Sequence, residues 1–277
     1  MVRKITCVVN DTALSDTDLR SEHGLSFWIE TGQGIVLFDT GQTSEVLSHN
    51  LKVLGLKPRD IGALVLSHAH YDHTGGLEAV LMKNSDLNIY AHADIFRPRY
   101  SLRKGKYQSI GFTQSLEDMT SHIKLNLSEA PTQIFPDLWT TGEIYERLEP
   151  EGRSVSHFIL TERGWQPDPY QDDLSLVLKT RRGVVVICGC CHAGLLNTLL
   201  HVKRIFKKPI ISVVGGIHLM TADDQYLIHV IDVITHYFPN LCFFVNHCTG
   251  ENAFKKLESS FGSRVTACPA GTVIDIN

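Results

Sequence analysis

The run Ser67-His68-Ala69-His70-Tyr71-Asp72-His73 decides how the rest of the chain is read. It follows the short apolar stretch Ala63 to Leu66, which reads as a strand, and it precedes Gly75-Gly76, where the absence of side chains lets a helix begin close by. On an extended strand end alternate residues share a side, so His68, His70 and Asp72 can point into one cavity, with His73 following as the chain turns. Two imidazoles in one bite, and a carboxylate with a further imidazole in the other, suit one or two divalent ions with positions open for water. Such donors accept zinc, iron and manganese alike, with zinc the expected ion.

Working outward, Ile5 to Val9, Leu25 to Ile29 and Ile35 to Phe38 read as strands, with Gly32-Gln33-Gly34 as a hairpin turn between the last two. Thr43 to Leu54 has helical spacing, and Lys57-Pro58-Arg59-Asp60 breaks it. After a strand at Ile89 to Ala91, the stretch from Arg97 to Pro169 holds six prolines and few clear periods, and is expected to be an irregular insertion over the site. Order returns with strands at Ser175 to Lys179, Val184 to Cys188, Ile210 to Val214, Leu241 to Asn246, Val265 to Ala267 and Thr272 to Ile276. Helices are expected at Leu195 to Phe206 and Asp223 to Tyr237. Strand-rich halves with interspersed helices point to an α/β protein, a four-layer αββα sandwich forming one domain over residues 1–277, with the site at the strand ends.

Composition narrows the partners. A net charge of -4 gives no basic field for nucleic acid, so a small-molecule substrate is expected. No apolar run approaches the roughly 18 residues that span a bilayer, and Met1 to Asp11 reads as a first strand instead of a leader, so no membrane partner is expected. Seven cysteines, three of them crowded at Cys188, Cys190 and Cys191, in a chain too large to need disulfides suit a reducing cytoplasm. Cys188 to Cys191 also forms a C-x-x-C that a redox pair could use, although that reading leaves the histidine run unexplained. Arg97, Arg99, Arg103, Lys104 and Lys106 place five cations within ten residues; they either face water or hold a substrate phosphate, so a phosphorylated substrate is among the candidates.

Three further histidines stand where the chain leaves an apolar strand: His192, His218 and His247. His49, His201, His229 and His236 lie on helical stretches with no ligand partner at useful spacing, while His23, His92, His122 and His157 read as loop or surface groups. Asp39, in Phe38-Asp39-Thr40-Gly41, closes a strand; it caps a turn or, if its strand neighbours Ala63 to Leu66, orients a ligand imidazole.

The segment His68-Ala-His70-Tyr-Asp72-His73-Thr-Gly-Gly resembles the signature of the metallo-β-lactamase superfamily, and Phe38-Asp39-Thr40-Gly41 resembles its preceding strand motif. Gly189-Cys-Cys-His192-Ala-Gly, Gly215-Gly-Ile-His218-Leu and Asn246-His247-Cys-Thr-Gly resemble one branch, enzymes similar to the dihydropterin ribofuranosylaminobenzene phosphate synthase of methanopterin biosynthesis. The resemblance implies that His68 and His70 hold one metal and Asp72 and His73 the other, with His192 and His247 as later ligands. The wider superfamily has a further histidine before the strand at Ser175 to Lys179 and a bridging aspartate after the next strand; here those places carry Asp172-Asp173 and Cys190-Cys191-His192. Asp173, Cys191 or His192 could substitute, and His218 could be a ligand or a substrate contact. The implied activity is hydrolysis of an ester or phosphoester by metal-activated water, with Asp72 orienting the nucleophile. Two alternatives stand beside it: a pterin-linked synthase in which an arylamine displaces pyrophosphate, and a metal-bound sensor that binds a small molecule without turnover.

Overall fold

Two runs of parallel strands, one from each part of the chain, place every candidate ligand at a carboxyl end. The computed structural model describes residues 3–84, 86–112 and 123–276. The chain divides into two compact units, one of Met1–Glu129 with Arg153–Asp172 and Pro269–Ile276, the other of Ala130–Gly152 with Asp173–Cys268.

In the first unit seven strands pair in the order Val273–Ile276, Arg3–Val9, Ser26–Glu30, Ile35–Phe38, Ala63–Val65, Asn88–Ala91 and Lys124–Leu127. The last four run parallel. Parallel strands need both faces covered, which is why Ala63–Val65 is apolar and buried throughout. The helix Ser44–Val53 begins at Thr43, whose Oγ1 accepts from Val46 N, and turns Leu47, Asn50 and Leu51 inward. Asn50 is tolerated there because its Nδ2 donates to the carbonyls of Val8 and Arg20. Leu37, Leu47, Leu64, Leu77, Val80 and Ile89 belong to the core of this unit.

The stretch read as an irregular insertion contains seven short strands among its described residues. Gly164–Pro167, His157–Thr161, Arg99–Arg103 and Lys106–Ser109 form a four-stranded antiparallel sheet in the first unit. These strands are short and half exposed, so alternation is weak in the sequence, and the sheet is tied by rings instead: Tyr107 stacks on Trp165 with centroids 3.6 Å apart.

The loop after the histidine run is threaded against the end of the strand Ile35–Phe38. Thr40 N donates to His73 O over 2.7 Å, and Gly75 N to Gly41 O over 3.1 Å. A methyl group at Gly76 would run into the Thr40 carbonyl oxygen, and one at Gly75 into that of Gln42. Gly76→Ala is therefore expected to cost about 1–3 kcal/mol, lowering the melting midpoint by roughly 2–4 °C for each kcal/mol. Thermal denaturation checks this, and an unchanged midpoint would contradict the close approach.

In the second unit seven strands pair in the order Val265–Ala267, Cys242–Val245, Ile210–Gly215, Val184–Cys188, Ser175–Lys179, Leu138–Thr140 and Gln133–Phe135, the first four parallel. Helices Leu195–Phe206, Asp224–Tyr237 and Glu251–Phe261 cover them, burying Leu196, Leu199, Val230, Ile234 and Leu257 among Val186, Val213 and Phe243. Because the strands run parallel, Gly189–His192, Gly216–His218 and Asn246–Cys248 emerge at the same edge of this sheet. Among the described residues no helix is long and apolar enough to cross a membrane.

Candidate metal centre

Strand pairing decides the role of Asp39. Phe38 lies opposite Val65 and Asp39 N donates to Val65 O, so the aspartate sits beside the start of the histidine run in a left-handed conformation, φ 59°. Holding a non-glycine residue there costs on the order of 1–3 kcal/mol, a strain that gathers at functional positions. Asp39 Oδ1 accepts from Ser67 N over 2.7 Å; Oδ2 accepts from Ser67 Oγ over 2.7 Å and from His73 Nδ1 over 2.6 Å. With its own proton given to Asp39, Ser67 Oγ accepts from His68 Nδ1 over 2.8 Å. The partners thus assign the Nδ1–H tautomer to both His68 and His73, so Nε2 carries a lone pair on each.

The other two members of the run close the arrangement. His70 Nδ1 lies 3.1 Å from His68 Nε2, and Asp72 Oδ2 lies 3.5 Å from His73 Nε2. All four residues are at most 6% exposed. Burial holds the His70 pKa well below its ordinary value of 6.5; Asp72 pulls it up, while His157, His73 and Arg99 add to the lowering. A neutral imidazole is the form that binds a metal.

Two histidines read as loop or surface groups, His23 and His157, stand beside the run, His23 remaining exposed. His23 Nε2 is 3.4 Å from Asp72 Oδ2 and its Nδ1 is 3.4 Å from Asp11. His157 packs edge-on to His70 with centroids 5.1 Å apart, and its Nδ1 is 2.7 Å from the hydroxyl of buried Tyr170. Neither carried a sequence signal, because both reach the run from distant segments. His92 is buried, its Nδ1 accepting from Asp94 N, and His122 lies outside the described residues. His49, His201 and His236 bond to the carbonyls of Asp18, Thr141 and Asp232, and His229 to Glu149, in keeping with structural roles.

In the second unit His192 is buried and its Nδ1 lies 2.8 Å from Gly152 O. A carbonyl can only accept, so this imidazole also carries its proton on Nδ1. Its ring packs 4.4 Å from that of His218, whose buried Nδ1 has no hydrogen-bond partner among the described residues. Cys191, His218 and His247 all adopt positive φ. Asp173 Oδ2 accepts from Ala193 N over 2.9 Å, bracing the loop that carries His192. Ligand atoms of Cys190, His247 and Cys248 lie within 4.8 Å of one another, a soft-donor cluster that the histidine pattern did not signal. Burial raises the Cys248 thiol, but a hydrogen bond with Cys190 and the nearness of His218 and His247 outweigh it and bring the pKa to about 5. Cys191 moves oppositely, pushed well up by its hydrogen bond with Cys188 and by burial, so its own thiol is a poor nucleophile.

The basic cluster divides. Arg97 pairs with Asp94 through Nε at 2.7 Å and stays partly exposed, whereas Arg99 is fully buried against Asp94, Asp168 and Asp172, so its guanidinium is not available to a phosphate. Arg103, Lys104 and Lys106 are exposed on the hairpin.

Buried imidazoles whose Nδ1 protons are fixed by a carboxylate, a hydroxyl and a carbonyl, leaving Nε2 as a donor, fit a divalent metal. The model of the Metallo-beta-lactamase superfamily matches residues 20–195, and the chain belongs to that family and has its α/β fold. Among curated relatives it is 29% identical, over 98% of this chain and 96% of the other, to the 7,8-dihydropterin-6-methyl-4-(beta-D-ribofuranosyl)-aminobenzene-5'-phosphate synthase of Methanocaldococcus jannaschii. It is 32% identical to an uncharacterised protein of the same organism, over 86% and 88% of the two chains. A solved structure described as Tm1679, a metal-dependent hydrolase of the beta-lactamase superfamily, superposes with a TM-score of 0.85 at 26% identity, covering 100% of both chains.

Proposed function

We propose that this protein is a metal-dependent enzyme that hydrolyses an ester or phosphoester bond in a small molecule. The observation that carries the reading is the relay His68 Nδ1 to Ser67 Oγ to Asp39 to His73 Nδ1, which fixes two imidazoles of one loop in the ligand tautomer through a single buried carboxylate. His68, His70, Asp72 and His73 would hold one or two divalent ions, zinc first among them; His192 and His247 are the later ligands that the family resemblance implies. When bound, such an ion would lower the pKa of a coordinated water to about 7 and polarise a substrate oxygen. Asp72, at the mouth of the run, would orient the nucleophile by accepting its proton. His23 beside Asp72 and His157 beside His70 would lie nearest to a substrate bound there. His218, Asp173 and Cys191 would act as supporting or substrate-contacting groups.

A second reading draws on the synthase relative, similar along nearly the whole chain. Ions held by the same ligands would then bind a departing pyrophosphate while an arylamine attacks a pterin methylene carbon. Elemental analysis of the purified protein, with assays on chromogenic phosphodiesters, phosphomonoesters and lactones, tests the first reading. Metal with hydrolysis supports it. Metal without hydrolysis, together with pyrophosphate release from a pterin diphosphate and an arylamine, would replace it with the second, and absence of metal would end both.

A further inference from the structure

The backbone on either side of His70 is gripped from outside the histidine run. Ala69 N donates to Asp172 Oδ2 over 2.8 Å, and Tyr71 N donates to Ile110 O over 3.0 Å. Both partners lead to Arg99. Asp172 Oδ1 lies 2.6 Å from Arg99 Nη2, and Ile110 N donates to Arg99 O over 2.9 Å. The guanidinium is held in turn by Asp94 Oδ2 and Asp168 Oδ2, each at 3.2 Å, and by the Arg97 carbonyl at 2.9 Å.

Arg99 and Asp172 are both fully buried. Burying an ion cluster gives little net stability compared with apolar packing, so its presence calls for another reason. Arg99 meets Asp172 through a single Nη2–Oδ1 ion pair, which leaves Oδ2 to accept from the Ala69 amide and so ties the carboxylate between a buried cation and the backbone. The contacts of this cluster end on the two amides that flank His70.

We propose that Arg99 and Asp172 are positioning residues for the metal centre: the guanidinium fixes the Asp172 carboxylate, which holds the Ala69 amide and so sets where His70 presents its imidazole. The inference rests on the reading of residues 68–73 as a metal site, and it gives the four-stranded sheet a function, since Arg99 and Ile110 belong to that sheet and its end. Asp172 uses one oxygen for Arg99 and the other for Ala69, so an asparagine, with a single acceptor oxygen, can serve only one of them.

The test is Co2+ titration of the metal-free protein, reading affinity and the visible ligand-field band, for wild type, Asp172→Ala and Asp172→Asn. Outer partners of metal ligands are worth about 10- to 100-fold in affinity. Asp172→Ala is expected to lose that much and to shift the band, with Asp172→Asn falling between it and wild type. The band reports ligand geometry, which a merely less stable protein would not change. If Asp172→Ala fails to fold, Asp172→Asn is read alone against wild type. Wild-type affinity in the folded variant, or a lower affinity with an unmoved band, would overturn the inference. A wild-type protein that binds no Co2+ would instead overturn the metal reading beneath it.

Discussion

His70→Ala is expected to abolish turnover and to lower metal affinity by more than about 100-fold, because a ligand is worth more than the outer partners that orient it. The variant should fold, since the removed ring borders His68, His157 and Tyr170 and is not part of either apolar core. Its metal-free form should also respond differently to acid. Burial keeps the folded-state pKa of His70 well below 6.5, so as pH falls through 6.5 the unfolded chain takes up a proton that the folded one refuses. Stability is therefore lost as pH falls across that window, and His70→Ala should lose less of it. Denaturation of both metal-free proteins at about pH 7.5 and about pH 5.5 measures this. Equal losses would show that His70 titrates normally, and retained turnover would remove it from the ligand set.

Asp39→Asn is the second large effect. The carboxylate accepts from Ser67 N, Ser67 Oγ and His73 Nδ1, three donors that an amide with one acceptor oxygen cannot satisfy. In the Oδ2 place its NH2 group would meet both Ser67 Oγ and His73 Nδ1, so His73 would favour the tautomer with the proton on Nε2, where the metal should bind, and the Ser67 hydroxyl would reverse and unsettle His68; in the Oδ1 place it would set two donors against each other at the Ser67 N–H. A drop of about 10- to 100-fold in zinc affinity is expected, with turnover falling at least as far. Competition with a chromophoric chelator measures the first. Unchanged affinity would return Asp39 to the role of a strand-end cap, the alternative that its position after Phe38 also allowed.

Legibility in the sequence followed the strength of local pattern. The strands Ile35–Phe38, Val184–Cys188 and Ile210–Gly215 were readable because parallel strands buried on both faces are continuous apolar runs. The candidate run 68–73 stands out because its potential donors are adjacent in sequence, and Asp39 because its strand pairs with the next strand of the chain. The helix Glu251–Phe261 was missed: it buries only Ala253, Leu257 and Phe261, a stripe too sparse to stand out. The sheet built on Arg99–Arg103 was missed for a related reason, its strands being short, half wet and rich in charge. The buried ion cluster was invisible because charge runs ordinarily face water, and nothing near Arg99 in sequence announces Asp168 or Asp172. His23 and His157 show the same limit, since only tertiary contact brings them to Asp72 and His70.

The hydrogen bond from Ala69 to Asp172 closes a loop of 103 residues. At a synthesis rate of about 5–20 residues per second, the ligand run exists for roughly 5–20 s before its acceptor has been made. The nascent chain therefore offers all four donors of the run while the amide before His70 is still unclamped. Any ion captured in that interval meets a looser set of ligands than the finished protein presents, and selection among metals would then be completed as residue 172 arrives.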